Sequence, residues 1–424
     1  KLYVDGILIK TTEGSMPGLN DQSCLLGAMD QAGSPPNKPV NYFNGWMDEV
    51  RFWNKELTEA QIHHMMNQEI NNNGGAVIGA VVPLNVPGLN WGDLDGYYRM
   101  NILCSELEPY AGSVKGKLRN ILTPQEETAP IPYFSKVDGI WTDNTNTSPW
   151  AFTGGGTPPP SFDPTTNTNV WDIPNSSIGI NGEKIDWNIV IIKNNVESGD
   201  KEITVLGLIV DAGSELTIQD PEPPYDETND GQMLWVTHYL KLDGVIDLVG
   251  ESQLVQKKYG DYFDINDMPV TVTSQINESI LDGTIDGYIE RDQQGTSNKF
   301  NYNYWSSPVH PRSATIKDPA KTESELIDLN NSPFYIKWQH RDGTDSNNPK
   351  IITWKGGYDG SAATSPISIA EYWLWSYSAP TNTYANWVKL YSTTPVKAGL
   401  GYTMKGSGDT TTDEQNYVFF GKPY

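Results

Sequence analysis

IDWNIVIIKNN (185–195), ITVLGLIVDAGSELTIQ (203–219) and LWVTHYLKLDGVIDLVGESQLVQ (234–256) decide the reading of this chain. Each opens on a run in which apolar residues recur at every second position: Ile189 with Ile191, Leu208 with Val210, Leu240 with Leu242. Each then breaks at Asn, Gly or Asp, and in the last two a second run follows, Leu216 with Ile218 and Ile246 with Leu248. A period of two places the members of each pair on one face of a strand. The runs recur at about 20 residues, from Ile189 to Leu208 and again from Leu208 to Leu240 once the acidic insert PEPPYDETNDG (221–231) is set aside, and that is the length of one β-solenoid coil. Such coils bury their apolar faces only by stacking on one another. Gly-bounded alternation suits an antiparallel sandwich as well, so residues 181–280 are expected to be solenoid-like, with a sandwich as the alternative.

Composition extends this to the whole chain. Gly (39) and Pro (29) are abundant and only one short stretch has helical periodicity, which predicts an all-β protein of several domains. Lys and Arg number 29 against 53 Asp and Glu, a formal charge of −24. That balance repels nucleic acid and anionic membrane surfaces and suits Ca²⁺, which takes oxygen ligands. No apolar run approaches the length of a membrane span, so no membrane insertion is expected. Two cysteines, Cys24 and Cys104, are too few for a disulfide framework.

Residues 1–70 carry the most specific pattern: a strand ending in VDG (Val4–Gly6), one ending in LLG (Leu25–Gly27), then YFNGWMDEVRFWN and LTEAQI. Thr58 with Gln61 three residues later forms the signature of a capping box on a short helix. These pieces, in this order, resemble the second half of a laminin-G-like, concanavalin A-type jelly roll, over residues 1–95. The resemblance implies that the first half lies upstream, that LYVDGILI and YFNGWMDEVRFW share a sheet, and that loops bind sugars or proteins, in places beside Ca²⁺. Asp48 is the position that matches the family's ion-associated Asp; the alternative is that Asp48 and Arg51 satisfy backbone and charge at a sheet edge. His63 and His64 are expected at the surface. Residues 96–180 read as an irregular Pro/Gly-rich connection pinned by Trp141, Trp150 and Trp171.

Residues 281–424 contain short strands with turn residues between them, the pattern of an antiparallel β-sandwich. Phe300, Tyr302 and Tyr304 share one face; Asn301, Asn303 and Trp305 share the other. GYIERDQQG (287–295), NYNYWSSPV (301–309), GYTMKG (401–406) and YVFFGKP (417–423) resemble large cell-surface proteins of Bacteroidota exported by the type IX secretion machinery. The resemblance implies an extracellular, surface-associated protein whose partners are glycans or surface proteins. It also makes Thr410, in GDTTTDE, a candidate for O-glycosylation.

Catalytic raw material is poor. None of the five His sits in a nucleophile motif, and no G-x-S-x-G, H-E-x-x-H, Walker or Rossmann pattern occurs. The expectation is a non-catalytic adhesin or scaffold; the alternative is the carbohydrate-binding region of a larger polysaccharide-degrading enzyme. Two stretches carry site hypotheses. RDGTDSNNP brings Asp342, Asp345 and Asn347 close enough in sequence to share a Ca²⁺, or forms a plain Asx-turn loop. In EYWLWSYS, Trp373, Trp375 and Tyr377 alternate into a stripe that is either a platform for pyranose faces or sandwich core, with Tyr372 and Leu374 outside.

Overall fold

The computed structural model describes residues 1–4, 6–14, 24–30, 39–44, 47–100, 106–119, 132–143, 145, 147–152, 161–163, 168–170, 174, 188–199, 201–220, 231–256, 262–263, 269–270, 279–284, 286–311, 333–377, 386–408 and 414–423. The chain is all-β and divides into two compact units. The first comprises residues 1–133, 151–158 and 260–276; the second comprises 134–150, 159–259 and 277–424.

In the first unit β1 (Leu2–Val4) and β2 (Ile7–Lys10) form an antiparallel hairpin. Gly6 turns it with φ 80°, a conformation that residues with a Cβ rarely adopt. β3 (Val50–Trp53) leads to α1 (Glu59–Met66), where the Thr58 hydroxyl accepts from the Gln61 amide and the Gln61 side chain accepts from the Thr58 amide, the expected capping box. β4 (Ile70–Asn73), β5 (Ala76–Gly79) and β6 (Asn85–Asn90) form a meander, and β7 (Leu94–Tyr98) lies between β3 and β8 (Ala111–Gly112). Among the described residues β1 and β2 pair only with each other and β3 pairs with β7, so LYVDGILI is not bonded directly to the DEVRFW strand. Motif order along a chain does not state which edges meet.

Met65, Ile70, Val77, Val86, Leu89, Leu94 and Tyr97 form the core of this unit. Arg51 ties β3 to the end of α1, donating to Met65 O at 2.8 Å and Gln68 O at 2.6 Å and pairing with Glu49 at 2.5 Å. His64 is a correction: it is buried, and burial lowers its pKa to about 4. His63 is half-buried, its Nε2 2.7 Å from Gly6 O.

In the second unit the chain alternates between two sheets. β9 (Gly139–Ile140) belongs to the second sheet, β10 (Ile189–Ile192) to the first, β11 (Val196–Glu197) to the second, and β12 (Ile203–Val210) to the first. The same alternation continues through β13 (Glu215–Ile218), β14 (Met233–Leu242) and β15 (Val245–Leu248), then β16 (Gln253–Gln256) and β17 (Ile280–Asp282) in the first sheet and β18 (Tyr288–Thr296) in the second. Successive strands within each sheet are parallel, as a solenoid-like coil requires and an antiparallel sandwich does not. Leu208 and Val210 lie opposite Leu240 and Leu242, as the alternation predicts. On the other side their partners are Val190 and Ile192 rather than Ile189 and Ile191. The IVII run is apolar at every position, so its sequence cannot choose between two registers one residue apart.

Part of the stretch read as a connection joins these sheets. Tyr133–Ser135 and Trp150–Phe152 extend the first sheet, and β9 pairs with β11. Trp141 and Trp150 are fully buried and pack edge to face at 4.7 Å; Trp141 donates its indole proton to Pro174 O and Trp150 donates to Trp141 O. Trp171 lies outside the described residues.

The second sheet does not end at residue 280. β18 pairs in parallel with β15 on one edge and antiparallel with the C-terminal strand on the other. The C-terminal part includes β19 (Tyr302–Ser306), β20 (His340–Asp342), β21 (Trp375–Tyr377), β22 (Trp387–Lys389), β23 (Gly401–Lys405) and β24 (Glu414–Pro423). β20 pairs with β24, while β19, β23, β21 and β22, in that order, make a separate antiparallel sheet. Trp305 and Tyr402, on the inner side of that sheet, pack against His340, Tyr417 and Phe419 of the other, which gives a sandwich with an aromatic core.

His340 is stacked on Phe419 at 4.5 Å, its Nδ1 2.7 Å from the Tyr402 hydroxyl, and burial lowers its pKa to about 3. The folded imidazole is therefore neutral where an unfolded one begins to protonate. Stability supplied by this group is intact above about pH 6.5 and falls as the pH drops from there toward 3. Between pH 6.5 and 5 the expected loss is roughly 2 kcal/mol, from about 1.4 kcal/mol per unit. Asp247 and Asp292, raised to about 8 and about 6 mainly by burial, act in the opposite sense: their contribution is lost as pH rises through those values. The test is therefore a difference. Urea unfolding at pH 7 and pH 5 should show a larger acid loss for the wild type than for His340→Phe, and equal losses would refute the assignment.

Candidate aromatic binding face

The solvent side of the β19–β23–β21–β22 sheet is where the site candidates meet. On β19 Tyr302 and Tyr304 point out, 40% and 76% exposed, while Asn303 and Trp305 point in, as the alternation predicts; Phe300, just before the strand, is 64% exposed. The register sets Tyr302 opposite Lys405 and Tyr304 opposite Thr403, with Thr403 in turn opposite Trp375 and Trp375 opposite Lys389. Tyr377 lies opposite Trp387, their rings 5.3 Å apart. Between the rings the β23 positions are small: Thr403 is buried beneath them, and a Cβ on Gly401 would have no neighbour nearer than Trp305 O at 3.9 Å. Rings stand on both sides of a floor that has room above it.

Leu374, expected outside if the stripe were core, is fully buried, whereas Trp373 and Trp375 are half-buried and Tyr377 is 39% exposed. The three rings do not form one row. Trp373 ends a single 3-10 turn (Glu371–Trp373), and β21 begins only at Trp375. Its indole donates to Tyr358 O at 2.6 Å, and Lys405 Nζ covers its ring at 3.7 Å from the centroid. Tyr358 and Tyr372, both exposed, continue the aromatic surface beside it, their centroids 4.7 Å apart. Sequence reasoning named Trp373, Trp375 and Tyr377 but missed Tyr304, Tyr358, Tyr372 and Lys405 as companions: strand pairing brings Tyr304 and Lys405 to the face, and a bend far along the chain brings Tyr358 beside Tyr372 and Trp373.

The metal candidates are dispersed. Asp48 Oδ1 accepts from the Glu49 amide at 2.9 Å. Asp342 is buried: one carboxylate oxygen accepts from the Thr344 amide (2.9 Å) and hydroxyl (2.6 Å), the other from the Ile367 amide (2.9 Å). Asp345 and Asn347 are exposed. Asp342 thus holds its own loop against β20, as an Asx-turn does. Among the described residues no group of three or more His, Cys, Asp or Glu is arranged to hold a metal. Thr410 and Cys104 lie outside the described residues, and Cys24 is an exposed free thiol.

Residues 1–63 match the family model for a laminin G domain, described as the concanavalin A-like lectin/glucanases superfamily. No curated protein and no solved structure matches the chain. The N-terminal portion is thereby placed among concanavalin A-like domains; the match does not extend to the coils or to the aromatic face.

Proposed function

We propose that this chain is a non-catalytic, secreted cell-surface protein, an adhesin or scaffold, that presents glycan-binding β domains. The observation that carries the reading is the aromatic face. Exposed Tyr302, Tyr304 and Tyr377 stand with half-buried Trp375 over a floor of small residues, on a sheet whose other side already supplies a complete aromatic core. Rings kept in water on a rigid sheet serve recognition rather than packing: an aromatic ring presents an apolar face to the C–H side of a pyranose while polar groups meet its hydroxyls. The concanavalin A-like segment supports a second binding domain of the same general kind. The superfamily's description covers glucanases as well as lectins, so the second reading is a carbohydrate-binding region of a larger polysaccharide-degrading enzyme. Export by type IX secretion and a Bacteroidota origin rest on the C-terminal motifs, and a role for Ca²⁺ on the acidic composition.

A glycan array probed with the whole chain should show binding that Tyr304→Ala weakens by about tenfold or more, the equivalent of about 1.4 kcal/mol. Tyr304 is 76% exposed, so its removal leaves the core in place and the melting temperature should be unchanged. Undiminished binding by the folded variant would move the site off this face.

A further inference from the structure

The strands of the aromatic face carry charge opposite to that of the chain. Of 53 acidic residues none falls in the strands YNYWS (302–306), WSY (375–377), WVK (387–389) or GYTMK (401–405), which instead carry Lys389 and Lys405. The two lysines differ. Lys389 Nζ is consumed by the fold: it donates to the carbonyls of Glu371, Leu374 (3.3 Å) and Leu390 (2.7 Å). Lys405 Nζ rests on rings alone, 3.7 Å from the Trp373 centroid and 5.1 Å from that of Tyr302. Among the described residues no carboxylate comes within ion-pair distance of it. Ring faces attract an ammonium and fix its position without neutralising it. Lys405 is therefore a positioned, half-buried cation, unmatched by any carboxylate among the described residues, beside the exposed rings of Tyr302 and Tyr304.

We propose that the face takes a uronate-containing polysaccharide, with a pyranose ring on Tyr304 and the carboxylate of that sugar or its neighbour on Lys405 Nζ. This rests on the reading of the face as a glycan platform and adds the class of glycan. A uronate's carboxylate projects from the edge of the ring, so it reaches a cation beside the stacked ring without lifting the sugar off the aromatic surface. The chain's −24 charge opposes a polyanion at long range, but at physiological ionic strength that repulsion is screened beyond about 8 Å. Direct contact with the Lys405 ammonium is not screened in the same way.

The test uses the whole chain with polygalacturonate and alginate, each beside its methyl ester, which keeps the backbone and removes the charge. The acid forms should bind at least tenfold tighter than their esters. Lys405→Gln should erase that preference, Lys405→Arg should keep most of it, and Tyr304→Ala should weaken acid and ester alike. If acid and ester bind equally and Lys405→Gln changes neither, the uronate assignment is wrong while the platform stands. Tyr304-dependent binding of neutral or sulfated polymers alone has the same meaning. Absence of Tyr304-dependent binding to any of these polymers overturns both readings.

Discussion

Val210→Asp is expected to cost the second unit roughly 3–5 kcal/mol, the scale of an uncompensated buried charge. Val210 is fully buried, and in the stack it lies between Ile192 and Leu242, so a carboxylate there meets methyl groups on both sides. It must either stay protonated against its ordinary pKa or open the coil to water. The same residue anchors a corner, because its carbonyl accepts from the amides of Asp243 and Gly244, both at 2.9 Å. Domains are stable by only about 5–15 kcal/mol, so the change removes a large share. Val210→Ala, which leaves a cavity and no charge, should cost less. Amide exchange should rise first in residues 189–192 and 239–242. It should then pass into the C-terminal part, because β15 pairs with β18 and β18 with β24. A spacer independent of its flanks would confine the loosening; one continuous sheet spreads it. A variant that melts and exchanges like the wild type would refute the stacking.

Gly287→Ala should be nearly as damaging for a different reason. Gly287 closes the corner between β17 and β18, and a Cβ there would stand 1.9 Å from Leu242 O and 2.4 Å from Leu242 C. Those are backbone atoms of the coil below, held by the parallel ladder, and cannot rotate away as a side chain could. Overpacking of this kind costs about 1–3 kcal/mol and sometimes more; direct overlap with backbone puts this case at roughly 3 kcal/mol. Gly356→Ala is the control, since nothing lies within 4 Å of its added methyl. Thermal unfolding should separate the two clearly, and equal melting temperatures would mean that the corner is not packed as described.

Much of this architecture is legible in the chain because local chemistry and tertiary structure agree there. The paired apolar runs at 208–218 and 240–248 stack where their alternation puts them, Thr58 and Gln61 cap α1, and Tyr302 and Tyr304 face away from Trp305. Each of these follows from the period of a strand or from bonds spanning three residues. The candidate site was only half legible. EYWLWSYS offers apolar side chains to both faces, so alternation gives two sets and no means of telling which is inside; the structure buries Leu374 and leaves Tyr377 in water.

By itself the sequence determined the all-β class, the alternating apolar runs that stack in parallel, the concanavalin A-like start and the charge, since these depend on residue type and local period. Tertiary structure alone decided the rest. It set the register of Val190 and Ile192, where every neighbour is apolar and a one-residue slip costs the pattern nothing. It paired β3 with β7, buried His64, and carried the second sheet unbroken into the C-terminal sandwich. It also brought Lys405 opposite Tyr302, its ladder partner, and onto Trp373 in the turn before β21, residues 103 and 32 positions away along the chain (405 − 302 and 405 − 373), because pairing and packing between distant segments choose such neighbours, which no local pattern encodes.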